Sequence, residues 1–351
     1  MRSSIEVPAR RDGQRQARRP DEGKARPGLG AHRRTIAGAA VVIVLAVAPY
    51  LVDGYSLDVL TQGLAYGLMA MSLALLLGYT GLPSLGHAAF LGLGSYAAGL
   101  LAVHLTTNAL AGLVVAACTG AAAAALIGVM SLRMHGVFFM MLTLAFAEIA
   151  RQVAVRSSFT GGDNGLTVPA VDIPLLGALT MPRVVVVYWY VLVVVALGFL
   201  VLSVLVRSPL GTALEGVRER PQRMAAIGYS VASIRLRAVI VSGALTAVGG
   251  ALLAHKDGLV APTALAPDVS VLLLVMVLVG GARSLFGPML GALGLVFLRS
   301  FTSSWLGESW LILEGLLFVL TVYFMRDGLA GLAGRLSRRP RKEKASDDSD
   351  S

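Results

Sequence analysis

Residues 184–206 read VVVVYWYVLVVVALGFLVLSVLV, with Arg183 before them and Arg207 after them. No charged side chain interrupts the run. Wound as a helix at about 1.5 Å per residue, it rises roughly 34 Å, enough to cross a hydrocarbon core about 30 Å thick. The stretch is read as a membrane span. Similar apolar runs lie at about 36–52, 57–77, 86–104, 109–130, 136–155, 237–255, 269–281, 285–299 and 309–325. The fold class that follows is an all-α polytopic membrane protein with about 10 transmembrane or partly re-entrant helices. Composition agrees: of 351 residues 56% are hydrophobic and 14% charged, whereas charged residues make up about a quarter of a soluble domain. An ordinary soluble globule is excluded. The single cysteine, Cys118, excludes an intramolecular disulfide and any multi-cysteine metal site.

The formal net charge of +10 raises nucleic acid as a partner, but the positions of the charges point to membrane topology instead. Of 30 Lys and Arg, ten precede residue 36, five lie in 207–236 and seven follow residue 325. Placing those segments on one face obeys the positive-inside rule, with both termini cytoplasmic. Residues 1–35, rich in Arg, Pro and Gly, cannot bury a core and read as a disordered basic cytosolic tail. Residues 326–351 read as a cytosolic C-terminal tail. Between them, 36–325 forms the transmembrane domain, with an outer loop at 156–183 and a cytosolic loop at 207–237.

Segments 269–281 and 285–299 rise only about 20 Å each, so they read as short, tilted or re-entrant. Broken backbone at membrane depth is tolerated beside protein or a water-filled cavity, which ties such segments to a pathway. Small residues four apart, as in Ala88/Gly92, Gly94/Ala98, Ser95/Gly99, Gly243/Ala247 and Gly287/Gly291, let helices approach closely, although a chain this rich in Gly and Ala also produces such pairs by chance. The cytosolic loop reads as two short helices: Ser208 and Pro209 open the first, Pro221 ends it and opens the second, and Gly228 suits a left-handed stop. Leu210, Leu214 and Val217 form an apolar stripe on the first, able to dock on another protein or on the chain's own membrane domain.

Four ordered stretches carry a resemblance to a known family. They are GYTGLPSLGHAAFLGLGSY (78–96); GVFFMMLTLAFAE (136–148) with TGGDNGL (160–166); Ser208 to Gly228 with SGALTAVGGALLA (242–254); and VGGARSLFGPMLGA (279–292). Together they resemble the permease subunits of branched-chain amino-acid ABC transporters. The resemblance implies an ABC importer permease bundle in the bacterial inner membrane, paired with a sister permease. It also implies two cytosolic ATP-binding subunits and an extracytoplasmic substrate-binding protein as partners. No cofactor is expected on this chain, because ATP with Mg would sit on the ATPases; the G-x-x-x-x-G-K-[ST] phosphate loop is missing. The chain is therefore read as a transporter and not an enzyme, with no catalytic and no metal-binding residues.

The same resemblance assigns Leu214, Glu215, Gly216, Arg218, Glu219 and Gly228 to an ATPase-coupling loop. Where family members often carry Glu-Asn, this chain has Arg220-Pro221, which keeps the break and changes the charge. A substrate pathway and its gate are expected at Ser84, Gly86, His87, Phe90, Thr143, Glu148, Gly161, Gly162, Asp163 and Asn164. Charges inside a span are costly and usually face the bundle interior. Glu148 and Arg151 form either a structural i,i+3 pair or part of an outer vestibule receiving a zwitterion. His87 reads as a buried residue bonded to a backbone carbonyl, with substrate contact and proton relay as alternatives. His104 and His255 read as water-facing at outer helix ends. Glu314 is either a packing polar residue or a contact with the sister subunit. Gly161–Asn164 form a turn that also suits gating or binding-protein contact.

Three function classes are open on the sequence: the membrane half of an ATP-driven importer, an ion-coupled secondary carrier resting on Glu148, Arg151 and His87, and a scaffold or channel. Branched-chain amino acids are the expected substrate, with urea, short amides and other amino acids as alternatives.

Overall fold

The computed structural model of the chain describes residues 45, 47–131, 136–173, 182–306 and 315–316. Both expected tails, most of the first apolar segment, Glu314 and most of 309–325 lie outside the described residues. Leu45 and residues 47–51 are helical and belong to a unit of their own, Met1–Leu51. The second unit, Val52–Ser351, is built mainly from helices in its described residues, so the chain is an all-α polytopic membrane protein.

Its helices are α1 (Gly54–Ala74), α2 (His87–His104), α3 (Ala109–Ser131), α4 (Val137–Arg156), α5 (Arg183–Arg207), α6 (Pro209–Glu219), α7 (Pro221–Ala226), α8 (Val231–Asp257), α9 (Pro267–Gly280) and α10 (Phe286–Leu306). α1 runs on into a π-helical turn, Leu75–Thr80, ended by Gly81 at φ 71°. α1 with this turn, α3, α4, α5 and α8 are long and apolar enough to cross a membrane. Of the two segments expected to be short, α9 is short at 14 residues, whereas α10 extends past 299 to reach 21 residues. α8 begins at Val231 and not at 237, because Ser230 caps it by accepting from the Ser233 amide at 3.4 Å. Pro209, Pro221 and Pro267 each open a helix, where their missing N–H costs nothing.

α8 forms the spine of the bundle: it packs on α2, α3 and α1, while α1 also packs on α10 and α5. The approach is close where small residues meet. Gly94 on α2 abuts the Ala247 backbone of α8, Gly250 abuts the Leu91 carbonyl and Ser95 Oγ, and Gly120 on α3 abuts Gly243. A methyl at Gly94 or Gly250 would collide with backbone, so here the small-residue pairs are real contacts and not compositional chance. Hydroxyls pin the same seam. Ser95 Oγ donates to the Gly250 carbonyl and Ser72 Oγ meets Thr246 Oγ1 at 2.7 Å.

At the end of the bundle away from α6 and α7, a two-residue antiparallel pair joins Leu166–Thr167 to Leu259–Val260. It ties the long loop after α4 to the loop after α8.

Candidate functional site

The residues expected along the pathway separate into two groups. Ser84, Gly86, His87, Phe90 and Thr143 are all buried and meet where α1 breaks and α2 begins. Gly86 packs on Thr143, whose Oγ1 accepts from the Leu85 amide at 3.2 Å. His87 Nε2 lies 3.0 Å from Ser242 Oγ, which donates to the Ser72 carbonyl at 2.7 Å. A hydroxyl has one proton, so Nε2 carries the hydrogen and donates to Ser242. His87 thus bonds a serine and not the expected carbonyl, and it is fully buried beside Phe90, ring centroids 5.7 Å apart. Its Nδ1 has no partner among the described residues. None of the five faces an opening in this conformation. They form an internal joint between α1, α2, α4 and α8.

The second group lies at the surface, with Glu148 and Gly162 half-buried and Gly161, Asp163 and Asn164 exposed. On α4, both Glu148 carboxylate oxygens are engaged by Arg151, at 2.6 and 2.9 Å, and Gln152 donates to the same carboxylate at 2.9 Å. The Glu148 and Arg151 side chains are 39% and 32% exposed, on a face continued by Phe138, Met141, Ile149 and Val153. Glu148 and Gln152 line an open groove together with Ile149, Val153, Arg156 and Ser157. The i,i+3 pairing expected from sequence is present, and it lies on the outside of this chain rather than in its interior.

Beyond α4, Gly161, Gly162 and Gly165 all take positive φ, at 82°, 62° and 76°. A side chain at Gly161 would run into the Gly165 carbonyl, and one at Gly165 into the Val260 carbonyl, so the glycines are required by the backbone. Asp163 and Asn164 are exposed at the tip of the turn, and the charge of Asp163 acts on Arg151.

On the loop assigned to coupling, the side chains also divide. Leu214 and Val217 are fully buried against the chain's own helices, so the apolar stripe docks internally. Arg218 turns inward and donates to the Gly78 carbonyl. Glu215, Glu219 and Gly228 are exposed, and Gly216 is packed on Met224. None of α7 is buried, and Ile227 and Tyr229 after it are 69% and 50% exposed.

Sequence reasoning missed two features. A cavity of about 480 Å³ lies at the far end of the bundle, with Asp257, Asp268 and Arg299 among its lining and Leu91, Leu253 and Leu272 as apolar walls. Its charges come from three successive helices, α8, α9 and α10, and no local motif marks it. His255 does not face water: it is 3% exposed, its Nδ1 lies 3.1 Å from the Tyr190 hydroxyl, and Gly112 packs on its ring. His104 is exposed and stacks on Phe159, centroids 5.5 Å apart.

Residues 55–323 match the family model described as branched-chain amino acid transport system, permease component. The chain belongs to this family of branched-chain amino-acid transport permeases. It is 30% identical over 307 residues to the high-affinity branched-chain amino acid transport system permease protein LivM of Salmonella typhimurium (strain LT2), covering 80% of this chain and 72% of that protein. The LivM protein of Escherichia coli (strain K12) matches with the same identity and coverage. No solved structure matches the chain. Membership makes it a multi-pass membrane transport component and not an enzyme.

Proposed function

We propose that the chain is one membrane half of an ATP-binding-cassette importer for branched-chain amino acids, working by alternating access. The observation that carries the reading is the Glu148–Arg151–Gln152 cluster on an exposed face of a spanning helix. A charge facing hydrocarbon costs about 2.5–3.5 kcal/mol on insertion scales, so this face meets water and protein instead of lipid. A sister permease set against α4 encloses a polar pathway there, in which the ion pair and the Gly161–Asn164 turn receive a zwitterion released by the extracytoplasmic binding protein. Because Glu148 is already satisfied by its own helix, substrate exchanges for existing bonds, which favours passage over tight retention.

At the other end, the exposed Glu215, Glu219, Gly228, Ile227 and Tyr229 suit docking on cytosolic ATPases, which hold ATP and Mg. The basic loop on that side supports an inner-membrane orientation with both termini cytoplasmic. The test is uptake of labelled leucine and labelled urea into proteoliposomes holding the chain with its co-purified partners, with and without ATP. ATP-dependent leucine accumulation that needs the binding protein is the expected outcome. Accumulation of urea alone would move the substrate, and ATP-independent transport that collapses with an ion gradient would overturn the reading.

A further inference from the structure

Arg218 sits on the last turn of α6, a helix whose Leu214 and Val217 are anchored in the membrane domain. Its guanidinium donates to the carbonyl of Gly78, and its stem packs on Gly81, where a Cβ would lie 3.2 Å from Arg218 Cγ. Gly78 lies inside the π-helical turn Leu75–Thr80, where the wider winding takes carbonyls out of the ordinary i−4 ladder. The opposite side of Gly78 abuts the Ala282 carbonyl in the break between α9 and α10, and the Tyr79 hydroxyl reaches the Arg283 carbonyl at 3.5 Å. A methyl on Gly78 would overlap Ala282, so the contact admits only glycine. From Gly81 the chain runs through Pro83 to Leu85 and Gly86, both seated on Thr143 of α4. Thr143 lies five residues before Glu148, about 7.5 Å along the same helix.

Together these contacts place one side chain between the cytosolic helix and the break that follows α1, and that break in turn touches the α9–α10 break and α4. We infer that Arg218 is a positioning residue that carries movement of α6 into the π-turn at Gly78, and from there to the α9–α10 break and to α4. The inference rests on the importer reading above and adds to it the element through which ATP hydrolysis reaches the pathway. A long arm clamped at both ends suits this role: the stem is held by Gly81, the head by a carbonyl, and backbone of a third segment lies directly behind. Displacing α6 without displacing Gly78 would break a hydrogen bond from a charged donor, which is costly away from bulk water.

The test uses the complete transporter in proteoliposomes and reads substrate moved per ATP hydrolysed. Arg218→Met keeps the stem on Gly81 and removes the donor. It is expected to co-purify with the ATPases and to hydrolyse ATP at close to the normal rate, while the transport ratio falls by about tenfold or more, within the range that coupling between two sites ordinarily spans. Arg218→Lys, which keeps a charged donor, is expected to recover most of the ratio. A normal ratio in Arg218→Met overturns the inference. So does loss of co-purification, which assigns Arg218 to assembly. Absence of ATP-dependent uptake by the unaltered protein would instead overturn the importer reading, leaving the two failures distinguishable.

Discussion

α4 and α5 are both spanning helices of similar length, 20 and 25 residues, yet the faces they leave exposed differ in kind. Between the arginines that end α5, its exposed side chains include Val193, Leu197, Leu200, Val201 and Val204 and are all apolar, a surface that hydrocarbon satisfies. On α4 the exposed stripe carries Glu148, Arg151 and Gln152 between Phe138 and Val153, and hydrocarbon would strand them. Length and overall hydropathy say that both helices enter a membrane. The chemistry of the exposed face says what each one meets, and only α4 is suited to water and a polar partner.

The sharpest break between the two faces would come at the turn that follows α4. Deleting Gly161–Asn164 is expected to abolish uptake while the protein still reaches the membrane, because that turn lies against the polar end of α4 and has no counterpart on α5. Normal transport by the deletion would remove the turn from the pathway. Next in size, Leu200→Lys on α5 is expected to lower the equilibrium constant for insertion of that span by about a hundredfold, from a cost of about 2.5–3.5 kcal/mol. Ile149→Lys on α4 should leave insertion nearly unchanged in the assembled transporter. Equal losses for the two would erase the distinction.

A smaller effect is expected from Glu148→Gln, which leaves Arg151 without its counter-charge. Uptake should fall about tenfold, equivalent to about 1.4 kcal/mol, with membrane levels normal; unchanged uptake and unchanged affinity for the binding protein would make the ion pair merely structural. The mildest probe is chemical. Cys118 is exposed on α3, whose outward side chains Val114 and Leu126 are apolar like those of α5. It should react with an apolar maleimide several times faster than with a charged, membrane-impermeant thiol reagent. A cysteine at Gln152 in a Cys118→Ala background should reverse that preference.

Much of this was legible residue by residue. Among the described residues most apolar runs became helices within a few residues of their expected ends, with α8 starting earlier, at Val231, and α10 running on to Leu306, because a span is a local property of length and hydrophobicity. Pro209, Pro221 and Gly228 punctuated the loop after α5 as their backbone limits require. The Glu148–Arg151 pair was visible as an i,i+3 spacing. Less legible was the fate of His87, whose partner Ser242 is 155 residues away, and of His255, buried because α8 brings it beside Tyr190 and Gly112. Leu214 and Arg218, assigned to an ATPase-coupling loop, turn into the chain's own bundle, and a stripe on one short helix carries no information about which surface covers it.

By itself the sequence determined that this chain is a bundle of apolar helices and where its breaks and glycine turns fall. Those are consequences of local composition and backbone restriction. The tertiary structure alone decided which side of each helix is buried, for a span that is apolar all round has no sequence period marking an inner face. It also decided that Ser84, Gly86, His87, Phe90 and Thr143 form a joint while Glu148 and Arg151 lie open, because those positions follow from where distant small residues let helix backbones meet.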